Sequence, residues 1–81
     1  MNYFVYILYS SELDRYYIGS TQNVFERLEK HLQNHSGFTS KANNWVIKHT
    51  EQFNTKSEAL ARERQIKSWK SRRMIEKLIQ K

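Results

Sequence analysis

The segment from Tyr16 to His31 constrains the fold most, because its hydrophobic period changes from that of a strand to that of a helix. Residues 16–18 are strand formers, and Gly19 lets the chain leave a sheet sharply. Asn23 is followed three residues later by Glu26, a spacing that predicts a capping box at a helix start. The segment is therefore predicted to be a short strand that continues directly into a helix.

The predicted helix extends from about Val24 to Asn34 and has one apolar face. Its apolar residues recur with a helical period and lie along one stripe: Val24, Phe25, Leu28 and Leu32. Arg27 and His31 lie four residues apart on one edge of this stripe, since successive residues turn by about 100° around a helix. A cation and an imidazole placed there can reach a cleft beside the helix.

The length and the cysteine content limit the class of protein. Eighty-one residues suffice for a single small domain, predicted to span residues 1–81, and such a chain buries only about 60% of its unfolded surface. Its five Tyr, four Phe and two Trp can form a core from few, large side chains. The absence of cysteine excludes disulfide frameworks, cysteine-based metal sites and cysteine nucleophiles.

The sequence shows neither a secretory signal nor a membrane span. Residues 1–9 have no basic start followed by a long apolar run. No window approaches the roughly 18 apolar residues that a membrane-spanning helix needs. We therefore expect a cytoplasmic protein that has no membrane partner.

The net charge of +6 is concentrated in the last third of the chain. Residues 1–54 contain five basic and five acidic residues, whereas residues 55–81 contain nine basic and three acidic ones. A one-sided basic segment is typical of a protein that binds a polyanion, most commonly nucleic acid. A solvated helix surface is the alternative explanation. The residues predicted to contact nucleic acid are Lys41, Lys67, Lys70, Arg72 and Arg73.

Three strands are predicted. Asn2–Ser10 is apolar or aromatic on both faces, which is typical of a central strand. A turn at Ser10–Leu13 leads to a second strand over Asp14–Ser20, and Trp45–Glu51 is predicted to be a third, antiparallel strand. If the turn is as predicted, Tyr6 faces Tyr17 with Cβ atoms roughly 5 Å apart. A slip of one residue would instead place the two phenols on opposite faces.

Two more helices follow an exposed polar loop predicted over Asn34–Asn44. Thr55 and Glu58 form a second capping box, which opens a helix from about Lys56 to Trp69. Ser71 can cap a final short helix whose apolar stripe consists of Met74, Ile75, Leu78 and Ile79. The predicted order is β-β-α-β-α-α, an α/β (α+β) domain with a small three-stranded antiparallel sheet flanked by helices.

Glu63 lies in the middle of the apolar arc of its predicted helix, with Ala59 about 40° to one side, Leu60 about 60° to the other and Ile66 about 60° away. An ionised carboxylate there must be paired or must bind a metal, because its desolvation otherwise costs several kcal/mol. Lys67, one turn further on, could supply the pairing as an ion pair. Lys67 and Lys70 both lie within about 40° of Glu63 around this helix, so they are expected to project toward the same cleft.

Other catalytic and metal-binding patterns lack the residues that they need. Tyr6 and Tyr17 could be ordinary core tyrosines with a hydroxyl at the rim. His31 and His35 have the spacing of a metal pair, but zinc requires three or four ligands. The sequence has no Gly-rich phosphate loop, nucleophilic serine motif or close carboxylate pair, which argues against NTPases, triad hydrolases and glycosidases.

Four short motifs in order resemble the GIY-YIG nuclease superfamily. They are Phe4-Val5-Tyr6, Tyr17-Ile18-Gly19, Arg27-x-x-x-His31 and Ala59-Leu60-Ala61-Arg62-Glu63. The resemblance extends from Tyr3 to about Lys77 and is strongest to the small single-domain bacterial branch, which is related to the nuclease module of UvrC-type repair enzymes. It implies the GIY-YIG fold and a place in DNA repair or recombination.

The resemblance also implies roles for individual residues. Tyr6 would be the general base or water activator, and Tyr17 would assist it by hydrogen bonding. Arg27 would contact the scissile phosphate, and Glu63 would hold one divalent metal, Mg²⁺ or Mn²⁺. His31 matches a position that supports the tyrosine in some members.

Two features depart from the family pattern. Phe4 and Val5 replace the Gly-Ile of the first motif, and no Asn follows Glu63 where several of the nucleases have one. The function expected is a metal-dependent endonuclease that hydrolyses DNA phosphodiester bonds, in single-stranded, duplex or branched DNA. The alternative is a non-catalytic nucleic-acid-binding module with the same fold. A protein-interaction domain explains the basic last third least well.

Overall fold

The structure, a computed structural model, describes residues 2–33 and 44–80, and for residues 31–33 it describes the backbone only. The elements are β1 (Tyr3–Ser10), β2 (Arg15–Thr21), α1 (Val24–Gln33), β3 (Val46–Phe53), α2 (Lys56–Ser68) and α3 (Arg72–Ile79). This order is the predicted one, and the fold class is confirmed. The predicted loop over residues 34–44 lies outside the described residues, except for Asn44.

The three described strands form one antiparallel sheet in the order β2-β1-β3, with the predicted central strand in the middle. An irregularity in the pairing of β1 with β3 occurs between Ile7 and Leu8. Val5, Ile7 and Leu8 are fully buried, because both faces of β1 are covered. β2 is an edge strand of this sheet, so its outer side is open for a functional site.

The predicted register of the hairpin is wrong by two residues. Tyr6 pairs with Gly19, and Tyr17 pairs with Leu8. Because side chains alternate with a period of two, this shift keeps both tyrosines on the same face as diagonal neighbours. Tyr6 and Tyr17 are therefore close to each other but not directly opposed.

The register differs because the turn lies one residue later than predicted. Ser10 still pairs with Arg15, so the loop consists of residues 11–14. Asp14 closes it with φ 53°, a left-handed conformation that Asp tolerates better than most residues. Inside the loop, the Leu13 N–H donates to Ser10 Oγ at 3.2 Å.

The sheet buries a different hydrophobic cluster on each face. On the first face, α2 and α3 pack against the sheet, and the cluster consists of Val5, Ile7, Ile18, Ala59, Ile66 and Ile75. On the second face, α1 and the residues before β3 enclose Tyr6, Leu8, Val24 and Trp45. Two residues of the predicted stripes are not buried: Phe25 is 78% exposed and Met74 is 44% exposed. Instead, α1 contacts the core through Val24, next to Phe25, and α3 contacts it through Ile75, next to Met74.

The predicted caps are present, with one change of partner. Thr55 and Glu58 form the complete capping box of α2. The Ser71 side chain accepts from the Met74 N–H at the start of α3. At α1, Asn23 Oδ1 accepts from the Glu26 N–H at 3.0 Å, but the Asn23 N–H donates to Thr21 Oγ1.

Element ends differ slightly from the prediction. β3 begins and ends later than expected, at Val46 and Phe53, and Trp45 is a buried residue just before it. α2 ends at Ser68, with Trp69 as its C-cap. None of the helices in the described ranges combines the length and the apolar character needed to cross a membrane.

Candidate active site

The Tyr6 side chain lies directly over Gly19 on the neighbouring strand. A Cβ atom at Gly19 would be 2.5 Å from Tyr6 Oη and 2.7 Å from Cζ, which is far inside normal contact. Only glycine leaves room for this approach. The phenol of the central strand therefore crosses β2 toward the outer edge of the sheet.

Tyr6 and Tyr17 share an aromatic cluster on the α1 side of the sheet. Their ring centroids are 6.3 Å apart, and Trp45 meets Tyr17 edge-on at 6.4 Å. Tyr6 is only 2% exposed, and this burial is the main cause that raises its pKa well above the ordinary value. The phenol of Tyr6 is therefore protonated at neutral pH.

Three charged or ionisable neighbours also act on the pKa of Tyr6. Tyr17 and Glu63 raise it, whereas the positive charge of Arg27 lowers it. These effects decrease with distance, so all three groups lie within electrostatic reach of one phenol. The structure thus brings together four of the five residues predicted to form the catalytic site.

Arg27 lies on the exposed side of α1 and lines two adjoining grooves. One has a volume of about 350 Å³ and runs past Ser20, Thr21 and Ala59 toward α2. The other, of about 210 Å³, follows the start of α1 to Lys30. A phosphate in either groove would meet a guanidinium, which binds phosphate oxygens in a bidentate manner.

Glu63 projects from α2 with a side chain that is 16% exposed, and it is held by two partners. Lys67 Nζ donates to Glu63 Oε2 at 2.7 Å, and the second hydrogen bond is with Ser20. Burial alone would raise the pKa of Glu63, but these hydrogen bonds and the nearby positive charges outweigh it. The pKa is therefore below its ordinary value, and Glu63 is an ionised carboxylate. The ion pair considered from the sequence is present.

Gly19 and Ser20 explain how residues from opposite faces of the sheet meet. Successive strand residues face opposite sides, so Gly19 faces Tyr6 while Ser20 faces α2 and bonds with Glu63. Both lie on the edge strand. We call the outer edge of β2 at residues 19–21 the edge site. Ser20 is not among the residues predicted from the sequence, although the alternation along β2 places it on the same face as Ile18.

The donor set of the edge site fits one kind of metal ion. Among the side chains that the structure describes, no group of three or more His, Cys, Asp or Glu residues could hold a metal. In the described part of the chain, Glu63 offers one hard carboxylate and Glu26 lines the adjoining groove, which is too few ligands for a structural zinc site. Mg²⁺ and Mn²⁺ retain most of their water ligands and often bind through one carboxylate. The residues therefore fit a largely hydrated Mg²⁺ or Mn²⁺ at Glu63, in competition with Lys67.

The other predicted site residues have different surroundings. The backbone of His31 lies in α1 one turn after Arg27, but its side chain is outside the described part, as is all of Lys41. Lys70 does not continue α2 as the helical prediction required. It follows the end of that helix with φ 50°, and it lines a groove of about 270 Å³ together with Lys67 and Arg15. Arg73 is exposed on α3.

Arg72 is engaged with the protein itself. Its guanidinium donates to Asp14 Oδ1 at 2.6 Å and to Glu76 Oε2 at 3.2 Å, and it lies 5.5 Å from the Tyr16 ring. Arg72 therefore connects the start of α3 to the β1–β2 loop. Its i, i+4 spacing from Glu76 is visible in the sequence, but its contact with Asp14 depends on the tertiary fold.

Comparison with known families agrees with this geometry. Residues 2–77 match the model of the GIY-YIG catalytic domain. The chain belongs to the GIY-YIG family. GIY-YIG domains are typically nucleases that act on nucleic acid and generally use a divalent metal.

A solved structure supports the same assignment. The chain is similar to a UPF0213 protein from Bacillus halodurans whose structure was solved by solution NMR. The two are 32% identical with a TM-score of 0.62, and the match covers 99% of this chain and 84% of the other. Comparison of the sequence with curated proteins gives no significant match.

Proposed function

We propose that this GIY-YIG protein is a metal-dependent endonuclease that hydrolyses phosphodiester bonds in DNA. The observation that supports the proposal is the position of Tyr6, Arg27 and Glu63 around the edge site: Tyr6 over Gly19, Arg27 in a groove with Ser20, and Glu63 bonded with Ser20. A phenol, a fixed cation and an ionised carboxylate are the groups needed to activate water, bind a phosphate and hold a hard metal. Family membership makes nucleic acid the expected substrate.

Arg27 would bind the scissile phosphate. Its side chain is exposed and lines both grooves beside the edge site. In-line hydrolysis increases the negative charge on the phosphate oxygens, so a cation already in place stabilises the transition state more than the ground state.

Tyr6 would orient and activate the attacking water, with Tyr17 beside it. Burial keeps the Tyr6 phenol protonated at neutral pH, and a protonated phenol is a poor base. Arg27 lowers the pKa of Tyr6, and Glu63 raises it through its negative charge. Neutralising the charge of Glu63 therefore lowers the pKa of Tyr6 and makes its phenolate form easier to reach. The charge of Glu63 thus affects how well Tyr6 acts as a base.

Glu63 would hold the Mg²⁺ or Mn²⁺ ion. When bound, such an ion supplies positive charge that stabilises the negative charge developing on the phosphate and the leaving oxygen. Lys67 and Ser20 keep the carboxylate ionised and fixed, so it is ready to bind a cation. Binding would exchange the Lys67 contact, which frees the Lys67 ammonium for a substrate phosphate.

The alternative is a non-catalytic nucleic-acid-binding module, and one observation favours it. The ion pair between Glu63 and Lys67 satisfies the carboxylate without any metal. In that case the basic surface would bind nucleic acid, and Glu63 would only stabilise the fold. A role in DNA repair or recombination and a cytoplasmic location stay predictions from the sequence.

A cleavage assay separates the two functions. Labelled single-stranded, duplex and branched DNA, with RNA of the same sequence, are incubated with the protein in Mg²⁺ or Mn²⁺ and in a chelator. We expect cutting of DNA that requires the metal and stops on chelation. Binding without cutting in either metal would assign the protein to the non-catalytic class.

A further inference from the structure

Phe25 is an exposed aromatic residue beside an apolar groove. The sequence predicts it on the buried face of α1, but 78% of its surface is exposed. The groove next to it has a volume of about 550 Å³, which is within the usual range for ligand sites. On a small domain, a large exposed aromatic ring that borders an apolar groove indicates a binding surface.

The lining of this groove combines flat apolar surfaces with amide groups. Phe4, Val24 and Ile47 supply the apolar part beside the Phe25 ring. Gln22 and Asn23, in the connection from β2 to α1, supply amide groups together with the hydroxyl of Thr50. The Asn23 oxygen caps α1, so its NH2 group is the part left to face a ligand. A nucleobase has the matching chemistry, since its face stacks on aromatic rings and its edge forms hydrogen bonds.

The groove adjoins the groove that contains Arg27. Gln22 and Asn23 line both, and the second groove also contains Lys30 and the acidic Glu26. The aromatic ring and the two cations therefore lie on either side of the same short connection between β2 and α1. In a nucleic-acid strand, every base is likewise attached close to a phosphate.

We propose that the Phe25 groove binds an unpaired nucleobase of the strand whose phosphates lie at Arg27. Phe25 stacks on the face of the base, and Gln22 and Asn23 approach its polar edge. In a duplex, the neighbouring base pairs cover both faces of each base, so the groove selects single-stranded or locally unpaired DNA. This proposal rests on the proposed function, which makes DNA the ligand, and it adds that the bound DNA is single-stranded or locally unpaired.

The test measures binding without cleavage. The full chain is titrated, in chelator, onto a fluorescent single strand of about 12 nucleotides and onto a hairpin duplex that contains the same sequence. Stacking of one base on an aromatic side chain predicts that Phe25→Ala raises the Kd for the single strand by roughly 5- to 100-fold. The Kd for the duplex should change by less than about twofold.

Three variants provide matched controls. Phe25→Tyr keeps a planar ring and should retain tight binding, whereas Phe25→Leu keeps apolar area without a flat face and should lose it. Met74→Ala removes another exposed apolar side chain, on α3, and should bind like the wild type. Thermal unfolding should be the same for all Phe25 variants, because the native side chain is mostly exposed.

An abasic scan then locates the stacked base. One base at a time is removed from the single strand. At one position, the wild type and Phe25→Ala should bind with the same Kd, because the base that stacks on Phe25 is gone. A penalty for Phe25→Ala that persists at every position would overturn the proposal.

Other outcomes would assign the groove to a different occupant. An equal loss of duplex binding, or full binding by Phe25→Leu, contradicts stacking of an unpaired base. Self-association of the wild type that Phe25→Ala abolishes would assign the groove to a second copy of this chain. The proposed function is tested separately, by cleavage of DNA in the presence of metal. If the protein cuts DNA but Phe25→Ala binds the single strand as well as the wild type does, only the proposal for the groove is wrong.

Discussion

Tyr6 packs so closely over Gly19 that a methyl group added at residue 19 would lie 2.5 Å from the tyrosine hydroxyl. The contact joins the central strand to the edge strand, and it holds the phenol within electrostatic reach of Arg27 and Glu63. The position of the proposed water-activating group thus depends on the absence of a side chain on the next strand.

Gly19→Ala should therefore destabilise the protein. Strand propensity favours alanine slightly, but the new methyl group overlaps a buried ring, and overpacking of this kind costs about 1–3 kcal/mol. The free energy of unfolding is measured by urea denaturation. In a Tyr6→Ala background the ring is absent and the cost should shrink. Equal costs in both backgrounds would mean that the two residues do not interact as described.

Tyr6→Phe should reduce turnover far more than Tyr17→Phe. Both changes delete one hydroxyl and keep the ring, so the free energy of unfolding should change by only about 1 kcal/mol. General acid-base groups contribute about 10²- to 10⁴-fold to a rate, and we expect a loss of that size for Tyr6→Phe. Single-turnover cleavage with saturating protein measures it. Equal losses would make Tyr6 one member of a hydrogen-bonded pair with no special role.

Neutralising Lys70 or Arg73 should weaken DNA binding and should make it less dependent on salt concentration. Each phosphate contact that is lost reduces the slope of log K against log salt by about one. Lys70→Asn is the suitable change at residue 70, because Asn tolerates the φ of 50° there. Binding is measured over a salt series in chelator, and unchanged slopes would show that these charges form only a solvated surface.

Arg72→Ala is expected to behave differently from the changes at Lys70 and Arg73. Its guanidinium contacts Asp14 and Glu76 and stacks near Tyr16, so its loss should lower the melting temperature. The salt slope should change less than for Arg73→Ala, because the charge is already paired. A normal melting temperature with a reduced slope would make Arg72 a DNA contact.

The element order could be predicted from the sequence because its signals are local. The Thr55–Glu58 capping box and the Ser71 cap depend on residues three apart, and both occur in the structure. The change of period after Gly19 gave the strand-to-helix junction correctly. Such signals do not depend on which distant residues meet.

The remaining features depend on tertiary contacts. The turn is closed by Asp14, whose carboxylate accepts from Tyr9 and from Arg72, 58 residues away. The stripe pattern of α1 could not show that Phe25 extends beyond the sheet. The sequence pattern of α2 predicts Lys67 as a partner of Glu63, but it could not show that Ser20 of β2 is a second one. With Lys67 and Ser20 in place, Glu63→Gln should destabilise the fold by about 1 kcal/mol at neutral pH.

Glu51 should contribute to the loss of stability in acid. Arg62 donates to both of its carboxylate oxygens, at 2.8 and 3.1 Å, and His49 lies 2.9 Å away. Burial would raise the pKa of Glu51, but these partners outweigh it and hold the pKa below its ordinary value. A depressed carboxyl pKa stabilises the fold above the unfolded pKa, and this contribution is lost as the pH falls through the folded pKa.

The matched measurement is the melting temperature of the wild type and of Glu51→Gln between about pH 7 and pH 3. Glu51→Gln should be less stable at neutral pH, and the difference should shrink below about pH 4.5. Curves that run parallel over the whole range would show that the ionisation of Glu51 does not contribute to stability.

Glu63 is the residue on which the proposed chemistry depends most. Glu63→Gln keeps the volume of the side chain and can still bond with Ser20, but it removes the negative charge that a cation needs. Glu12→Gln, in the exposed β1–β2 loop, removes the same charge far from Glu63 in the sequence and serves as the control. Both variants should unfold cooperatively, and both should bind DNA in chelator with nearly the wild-type Kd.

The most direct test is the single-turnover rate of DNA cleavage in Mn²⁺ for the wild type, Glu63→Gln and Glu12→Gln. We predict cleavage at comparable rates by the wild type and Glu12→Gln, and none by Glu63→Gln. Cleavage by Glu63→Gln at the wild-type rate would contradict a metal-binding role for Glu63, and the ion pair with Lys67 would then be its whole function.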